Sequence, residues 1–416
     1  MARAQRAVLV TGGAGYVGAQ TCKALAQCGY LPLTFDNLTH GHARAVKWGP
    51  LVQGDLADTD LLAHTLGTYS IDAVLHFAAY ACPAESMREP AKYFRNNVCN
   101  TLTLLECMVK AGIRNIVFSS TCATYGIPAR LPVSEKAPQL PISPYGESKL
   151  SAERILHWWG RAYGVRSVIL RYFNAAGADP DGEIGEAHEP ETHLIPNAIA
   201  AAHGSHAALN VFGSNYPTRD GTALRDYVHV CDLAAAHLAA LDHLDKGGRS
   251  IALNLGAGAG HTVRDVVNMV EAVGGRPVPV HIAPRRMGDP PELTAHVGLA
   301  SDVLGWEPRH SSLRTIVESA WRWHLERPPE QRLVESGDGS QHISRTHDAE
   351  RSTSLHDDSS QISTAEPQRS LAADDLGPAG AGTSRRAALK PAQAVTTPLR
   401  ASSDGDTCDR AASRET

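Results

Sequence analysis

Residues 331–416 of this 416-residue chain contain no phenylalanine, tyrosine or tryptophan, and are rich in Ser, Thr, Asp, Arg and Ala. Such a stretch cannot bury enough apolar surface to offset the entropy of ordering it. It is expected to be a disordered tail with no catalytic part. Other absences narrow the field further. No apolar run approaches the ~20 residues of a membrane span, so no membrane partner is expected. The N-terminus enters an apolar run almost at once and lacks the layout of a signal peptide. The net charge is −5 and Lys and Arg are not clustered, which argues against a nucleic-acid partner. The cysteines Cys22, Cys28, Cys82, Cys99, Cys107, Cys122, Cys231 and Cys408 form no C-x-x-C pair. That disfavours a zinc knuckle or redox pair and suits a reducing cytoplasm.

What is present is enough length for two packed domains, or one large one with extensions. Ala7 to Val10 is a short apolar run, followed at once by Thr11-Gly12-Gly13-Ala14-Gly15-Tyr16-Val17-Gly18. Ala19 to Gln27 then reads as a helix stopped by Gly29. Strand, glycine turn and helix suit a dinucleotide: Gly12, Gly15 and Gly18 let the backbone approach a pyrophosphate, and the helix N-terminus binds it. A second run, Leu31 to Phe35, ends in Asp36, about twenty residues past the glycines. There a carboxylate either accepts hydrogen bonds from an adenosine ribose, favouring NAD over NADP, or caps a strand end. Asp55, after Gly54 and before Leu56, either bonds the adenine or begins the next helix.

The run Asp72 to Ala79 ends in Phe77-Ala78-Ala79, small residues that suit close approach by a cofactor or ordinary packing. Asn96 to Ala111 is helical in pattern, with Val98, Leu102, Leu105 and Val109 on one side. Asn115 to Ser120 reads as a buried strand opening into Thr121. A helix is expected to start at Pro144, since proline is pre-set for a first helical position. Tyr145 and Lys149 would then share one face, four residues apart. Alone such a pair is weak evidence, because both residue types are common on amphipathic helices. A free phenol titrates near pH ~10, and a neighbouring cation favours the phenolate, which can take a proton from a sugar hydroxyl. The strand Ser167 to Leu170 leads into Arg171-Tyr172-Phe173-Asn174. The alternation predicts an α/β fold, a doubly wound parallel sheet with ligands at the carboxyl ends of its strands. The glycine turn, Asp36, Phe77 to Ala79, Thr121 and Asn174 all fall at such ends.

Beyond residue 175 the composition changes. Ala178 to Pro190 reads as a long loop. His188 and His193 invite a metal, but Pro190 lies between them and the spacing is not H-E-x-x-H, so none is expected. Leu194 to His203, Asp232 to Leu244 and Thr262 to Val273 read as helices and Ile251 to Leu255 as a strand. Arg285 and Arg286, in a loop with Asp289, either hold a diphosphate or are solvated surface arginines. The expected organisation is a dinucleotide-binding domain over 1–175, a smaller α/β substrate domain over 176–330, and the tail over 331–416.

Taken together, the glycine turn, Asp36-Asn37-Leu38, the Tyr145/Lys149 pair, Arg171 to Asn174 and Arg225-Asp226-Tyr227-Val228-His229-Val230 resemble the NAD-dependent sugar-nucleotide epimerases of the extended short-chain dehydrogenase/reductase family. The resemblance covers roughly residues 7–328 and implies a Rossmann-type fold. It implies interconversion of UDP-glucose and UDP-galactose through a 4-keto sugar, with NAD bound throughout. By resemblance Tyr145 takes the proton from the C4 hydroxyl, Lys149 holds the nicotinamide ribose and lowers the tyrosine pKa, and Thr121 hydrogen-bonds the reacting hydroxyl. Tyr16, Val17, Asp36, Asn37, Asp55, Leu56, Phe77, Ala78, Ala79, Asn96 and Phe173 would line the cofactor. Asn174, Arg225, Arg286 and Asp289 would hold the UDP moiety. Related dehydratases carry an acidic residue after the hydroxyl that faces the sugar; here Cys122 and Ala123 stand there, favouring epimerisation. The resemblance also implies a homodimer, through helices over 96–111 and 145–163.

Two positions depart from the pattern. Ala81 stands where some members have a lysine near the cofactor phosphates. Leu293 stands where some have a bulky tyrosine at the sugar pocket, which keeps UDP-N-acetylhexosamines open as substrates beside UDP-pentoses and UDP-uronates. A non-catalytic NAD-sensing module is the reading from another class; joint presence of Tyr145 and Lys149 argues against it.

Overall fold

A computed structural model describes residues 5–286 and 289–326; the tail expected over 331–416 lies outside them. The strands are β1 Ala7–Thr11, β2 Leu31–Asp36, β3 Leu51–Gln53, β4 Ile71–His76, β5 Asn115–Thr121, β6 Arg166–Tyr172, β7 Asn174–Ala176, β8 Leu209–Phe212, β9 Leu224–His229, β10 Ile251–Leu255, β11 Gly260–Thr262, β12 Val280–Ala283 and β13 Glu292–Leu293. The helices are α1 Tyr16–Gln27, α2 Thr59–Thr68, α3 Pro83–Ser86, α4 Pro90–Tyr93, α5 Asn100–Lys110, α6 Pro144–Tyr163, α7 Leu194–His203, α8 Val230–Asp245, α9 Val263–Gly274, α10 Gly298–Leu304 and α11 Leu313–Glu326. None of the described helices is long and apolar enough to cross a membrane.

A seven-stranded sheet runs in the order β10-β6-β5-β4-β1-β2-β3, and every neighbouring pair is parallel. Parallel strands buried on both faces read as continuous apolar runs, which is the pattern of Ala7 to Val10 and Ile116 to Phe118. On one face Leu62, Leu66, Leu104, Leu105, Met108, Ala152 and Leu156 join the core from α2, α5 and α6. On the other, Cys22 and Leu25 of α1 meet Leu233, Ala236, Ala240, Leu241 and Leu244 of α8. Each fully buried leucine contributes about 1.5–3 kcal/mol of transfer free energy. The chain order reverses between β4 and β1, which puts the switch point, and the crevice above it, beside the glycine turn.

Residues after 175 do two things. They return to the first sheet with α8 and β10, and they build a second core in which α7, α9 and α11 pack around Ile199, Val211, Val266, Val270 and Ile316. Their strands form a small sheet in which β9 pairs with β7, β11 and β13, and a separate parallel pair, β8 with β12. The helix expected over 96–111 differs in its first turns: Phe94–Cys99 is π-helical, and α5 proper begins at Asn100. Within it the Asn97 side chain bonds both Tyr80 backbone groups and the Ser148 hydroxyl of α6.

Candidate active site

The glycine turn is shaped by contacts that exclude side chains. Gly12 has φ +72°, and a Cβ there would stand 2.6 Å from the Ala78 amide nitrogen. A Cβ on Gly18 would stand 2.2 Å from the Gly12 carbonyl oxygen. Gly15, by contrast, would meet only that oxygen, at 3.3 Å. It caps α1 without any side-chain hydrogen bond, and no acidic residue sits in the first turn. The first amides of α1 are therefore left to a ligand, and a helix N-terminus without acidic neighbours suits an anion such as a pyrophosphate. The turn's geometry fits a dinucleotide.

Asp36 ends β2 and is buried. Its carboxylate accepts from the Ala14 amide at 3.0 Å and the Leu38 amide at 2.8 Å. Burial raises its pKa, opposed by those amides. A carboxylate has further lone pairs beyond two such bonds. Asn37 and Asn100 both donate to Asp55, at 2.8 and 3.2 Å, which ties the ends of β2 and β3 to α5.

Pro144 opens α6 as its first helical residue, and the Ser143 hydroxyl caps it by accepting from the Gly146 amide at 3.2 Å. Tyr145 and Lys149 emerge from the first turns, both buried. The Lys149 ammonium donates to the Ser119 carbonyl at 2.9 Å. Burial pushes its pKa down to about 7, with only the Glu153 carboxylate pulling the other way. The Tyr145 phenol is pushed well up by burial, against the facing Thr121 hydroxyl. The protein alone thus keeps this phenol neutral. The lysine cation expected to lower it is itself disfavoured, because burial outweighs the opposing pull of Glu153 on α6. Behind the pair, Arg171 and Glu153 form a buried ion pair at 2.6 Å, and the Ser120 hydroxyl donates to Glu153 at 2.5 Å. Burial also holds the Cys122 thiol at about 12, so it stays protonated and cannot act as an acid–base group near neutrality.

Every residue expected to hold the cofactor or the UDP-sugar lies on the wall of one cavity of about 1170 Å³, whereas Arg285, offered beside Arg286 for a diphosphate, does not line it and donates to Asn215 at 2.7 Å. Gly12, Gly15, Tyr16, Val17, Gly18, Asp36, Asn37, Asp55, Leu56, Phe77, Ala78, Ala79 and Asn96 line it at the switch point. Thr121, Tyr145, Lys149, Phe173 and Asn174 follow, and Arg225, Arg286 and Asp289 line it with Leu293. Arg225 is ion-paired with Asp289, and the Arg286 guanidinium lies 3.7 Å from the centre of the Phe212 ring.

A profile of the NAD dependent epimerase/dehydratase family matches residues 8–256. The chain belongs to the NAD dependent epimerase/dehydratase family. Within it, the chain is similar to the UDP-glucose 4-epimerase of Rhizobium meliloti, 52% identical over 320 residues that cover 77% of this chain and 97% of the relative. The corresponding protein of Halalkalibacterium halodurans is 49% identical over 322 residues, covering 77% and 96%. Among solved structures, UDP-glucose 4-epimerase from Brucella ovis in complex with NAD matches with a TM-score of 0.75 and 50% identity, covering 76% of this chain and 98% of that one.

The sequence reading missed part of what this member of the family brings to the cavity. His40, Tyr80, Phe212, Glu186 and Glu191 line it as well. Glu186, His188, Glu191 and His193 come together there. The available signal was the alternation of acid and histidine across a loop, where residues two apart share a side when the chain is extended. The H-E-x-x-H rule tests for a helix and overlooks it.

Proposed function

We propose that the protein interconverts UDP-glucose and UDP-galactose by oxidising and re-reducing C4 of the sugar, with NAD held throughout. The observation that carries this is the joining of the glycine turn and the Tyr145/Lys149/Thr121 group by one cavity. Gly12, Gly15, Tyr16, Val17 and Gly18 would hold the pyrophosphate, Asp36 and Asn37 the adenosine ribose, and Asp55 and Leu56 the adenine. Phe77, Ala78, Ala79, Asn96, Lys149 and Phe173 would hold the nicotinamide riboside. NAD bound there would supply a hydride acceptor and donor for C4 of the sugar and a positive charge beside the phenol.

Tyr145 accepts the C4 hydroxyl proton at its phenol oxygen and gives it back. Burial raises that phenol, so its ionisation waits on positive charge in the cavity. Lowering a pKa by about three units takes about 4 kcal/mol. Thr121 holds the reacting hydroxyl. Asn174, Arg225, Arg286 and Asp289 hold the UDP moiety, which leaves the substrate to the half of the cavity built mainly after residue 175. With Cys122 protonated and Ala123 inert, this wall offers no acid for removing water, and the reaction stops at epimerisation. We further propose a homodimer packed through α6 and the helix before it, where Trp158 and Tyr163 are 62% and 51% exposed. The cytoplasm is the compartment we propose, the described cysteines being free thiols.

The test is a product assay on UDP-galactose with no added NAD. Conversion to UDP-glucose is expected; no conversion with or without NAD overturns the reading. A parallel arm with UDP-N-acetylgalactosamine measures how much room Leu293 leaves.

A further inference from the structure

The loop before α7 brings Glu186, His188, Glu191 and His193 to one point on the cavity wall, with one ligand atom from each all within 4.8 Å of one another. We propose that these four side chains form a binding site for a divalent transition-metal ion of the zinc class. Epimerisation at C4 does not require it, so the ion would be an addition to the proposed reaction on the wall of the same cavity.

The spacing is that of ligands around an ion. Ligand atoms at zinc distances of about 2.0–2.1 Å, tetrahedrally placed, stand about 3.3 Å apart. Here His188 Nδ1 and His193 Nδ1 lie 3.2 and 2.7 Å from Glu186 Oε1. His193 Nδ1 is 3.1 Å from Glu191 Oε1, and His188 Nδ1 is 3.9 Å from Glu191 Oε2. His188 Nδ1 is a buried atom that makes no hydrogen bond, although a carboxylate oxygen stands within reach. A nitrogen that faces the cluster without bonding to it is what a ligand lone pair requires.

Charge and support agree. Glu186 is 6% exposed, and a buried carboxylate must be neutralised by a partner. Two carboxylates and two neutral imidazoles balance one dication, and imidazole with carboxylate is a zinc-type donor set. The ligands are themselves oriented, as in built metal sites. The Thr192 and His193 amides donate to Glu191 Oε1 at 2.7 and 2.8 Å. The loop backbone is pinned by Trp323 Nε1, which donates to the Glu186 carbonyl at 2.9 Å, and by Asn197, which donates to the His193 carbonyl at 2.8 Å. The neighbouring acidic group of Asp179, Asp181 and Glu183 is different, because the Lys23 ammonium already fills it. The competing account is that a proton on His193, shared between the carboxylates, holds the cluster with no ion.

The test uses the full chain as purified, freed of adventitious metal by a chelator, then titrated with ZnCl2 by calorimetry and with CoCl2 by visible absorption. The expected result is saturation at about one ion per chain, the intense visible band of four-coordinate Co2+, and a raised melting temperature. His188→Ala and Glu191→Gln should each weaken Zn2+ binding at least about tenfold, with an unchanged circular dichroism spectrum. Should His188→Ala not fold, Glu191→Gln decides alone. Absence of saturable binding, or a Co2+ band retained in the variants, overturns the proposal and leaves the proton-held cluster.

Discussion

Two lysines are equally buried in this molecule and live opposite lives. Lys23, on α1, and Lys149, on α6, are each 4% exposed. Around Lys23, Asp179, Asp181 and Glu183 each place an oxygen 2.7 Å from the ammonium. Burial alone would lower its pKa, but these partners outweigh burial and the net direction is up. Around Lys149 the hydrogen-bond partner is the Ser119 carbonyl, and burial wins, bringing it to about 7. A buried charge is costly unless paired. The region around Lys23 is complete as folded and fastens the loop after β7 onto α1. The region around Lys149 is incomplete: its charge balance waits for what enters the cavity. The same contrast separates a structural from a functional ionisable group elsewhere.

The sharpest break of the comparison is at the incomplete side. Tyr145→Phe should lower turnover of UDP-galactose about 10²–10⁴-fold, the usual contribution of general base catalysis, with the melting temperature little changed. Near-normal turnover would remove Tyr145 as the base. On the complete side, Lys23→Met should cost about 3–5 kcal/mol of stability, the usual effect of stripping one partner from a buried pair. That cost comes from Asp179, 2% exposed, rather than Asp181, 68% exposed, because exposed pairs are worth little. Adding Asp179→Leu should recover much of the loss in thermal melts; no recovery would mean Lys23 acts through something other than this pair.

A smaller effect distinguishes the two lysines by pH. Lys149 has a folded pKa near 7 against an ordinary 10.5. Between those values the unfolded chain holds the proton and the folded chain does not, so stability rises with pH. Lys23 is raised, so its contribution is fully present throughout that window and is lost only above it. In cofactor-free protein, wild type should therefore gain stability on Lys149→Met between pH 7 and 8.5, approaching about 1.4 kcal/mol per pH unit. Denaturant melts at the two pH values measure it; a constant difference would place the folded Lys149 pKa above that range.

This contrast also explains what could be read without coordinates. The parallel sheet, the glycine turn and the α6 pair were legible because their signals are local: apolar runs of strand length, glycine at fixed offsets, proline before a Tyr-x-x-x-Lys face. Lys23 carried no such signal. Its partners lie in a segment that reads only as loop, and Asp179 is 156 residues away. The β8–β12 pair was equally silent, since Leu209 finds Val280 only when the chain between them has folded. The meeting of Glu186, His188, Glu191 and His193 was missed for another reason: only the two histidines were weighed, and against a helical metal motif. Contacts across the fold decide which charges are satisfied, and no window of sequence contains them.

Asp36 falls between the two lysines and gives the finest test. It is buried like them, yet its partners are two backbone amides rather than an opposite charge or a lone carbonyl. Burial raises its pKa and the amides oppose that; its ionised form puts a charge on the cavity wall where a 2′-phosphate of NADP would have to sit. Asp36→Asn keeps an acceptor for one amide and removes the charge. If repulsion sets the cofactor preference, the ratio of NADP to NAD affinity should rise on the order of tenfold, about 1.4 kcal/mol. If Asp36 only shapes the turn, Asp36→Asn should weaken both cofactors alike, and the ratio, read by fluorescence titration, should not move. A constant ratio would put Asp36 with Lys23 as a group complete in itself; a shifted ratio puts it with Lys149, as one that meets a ligand.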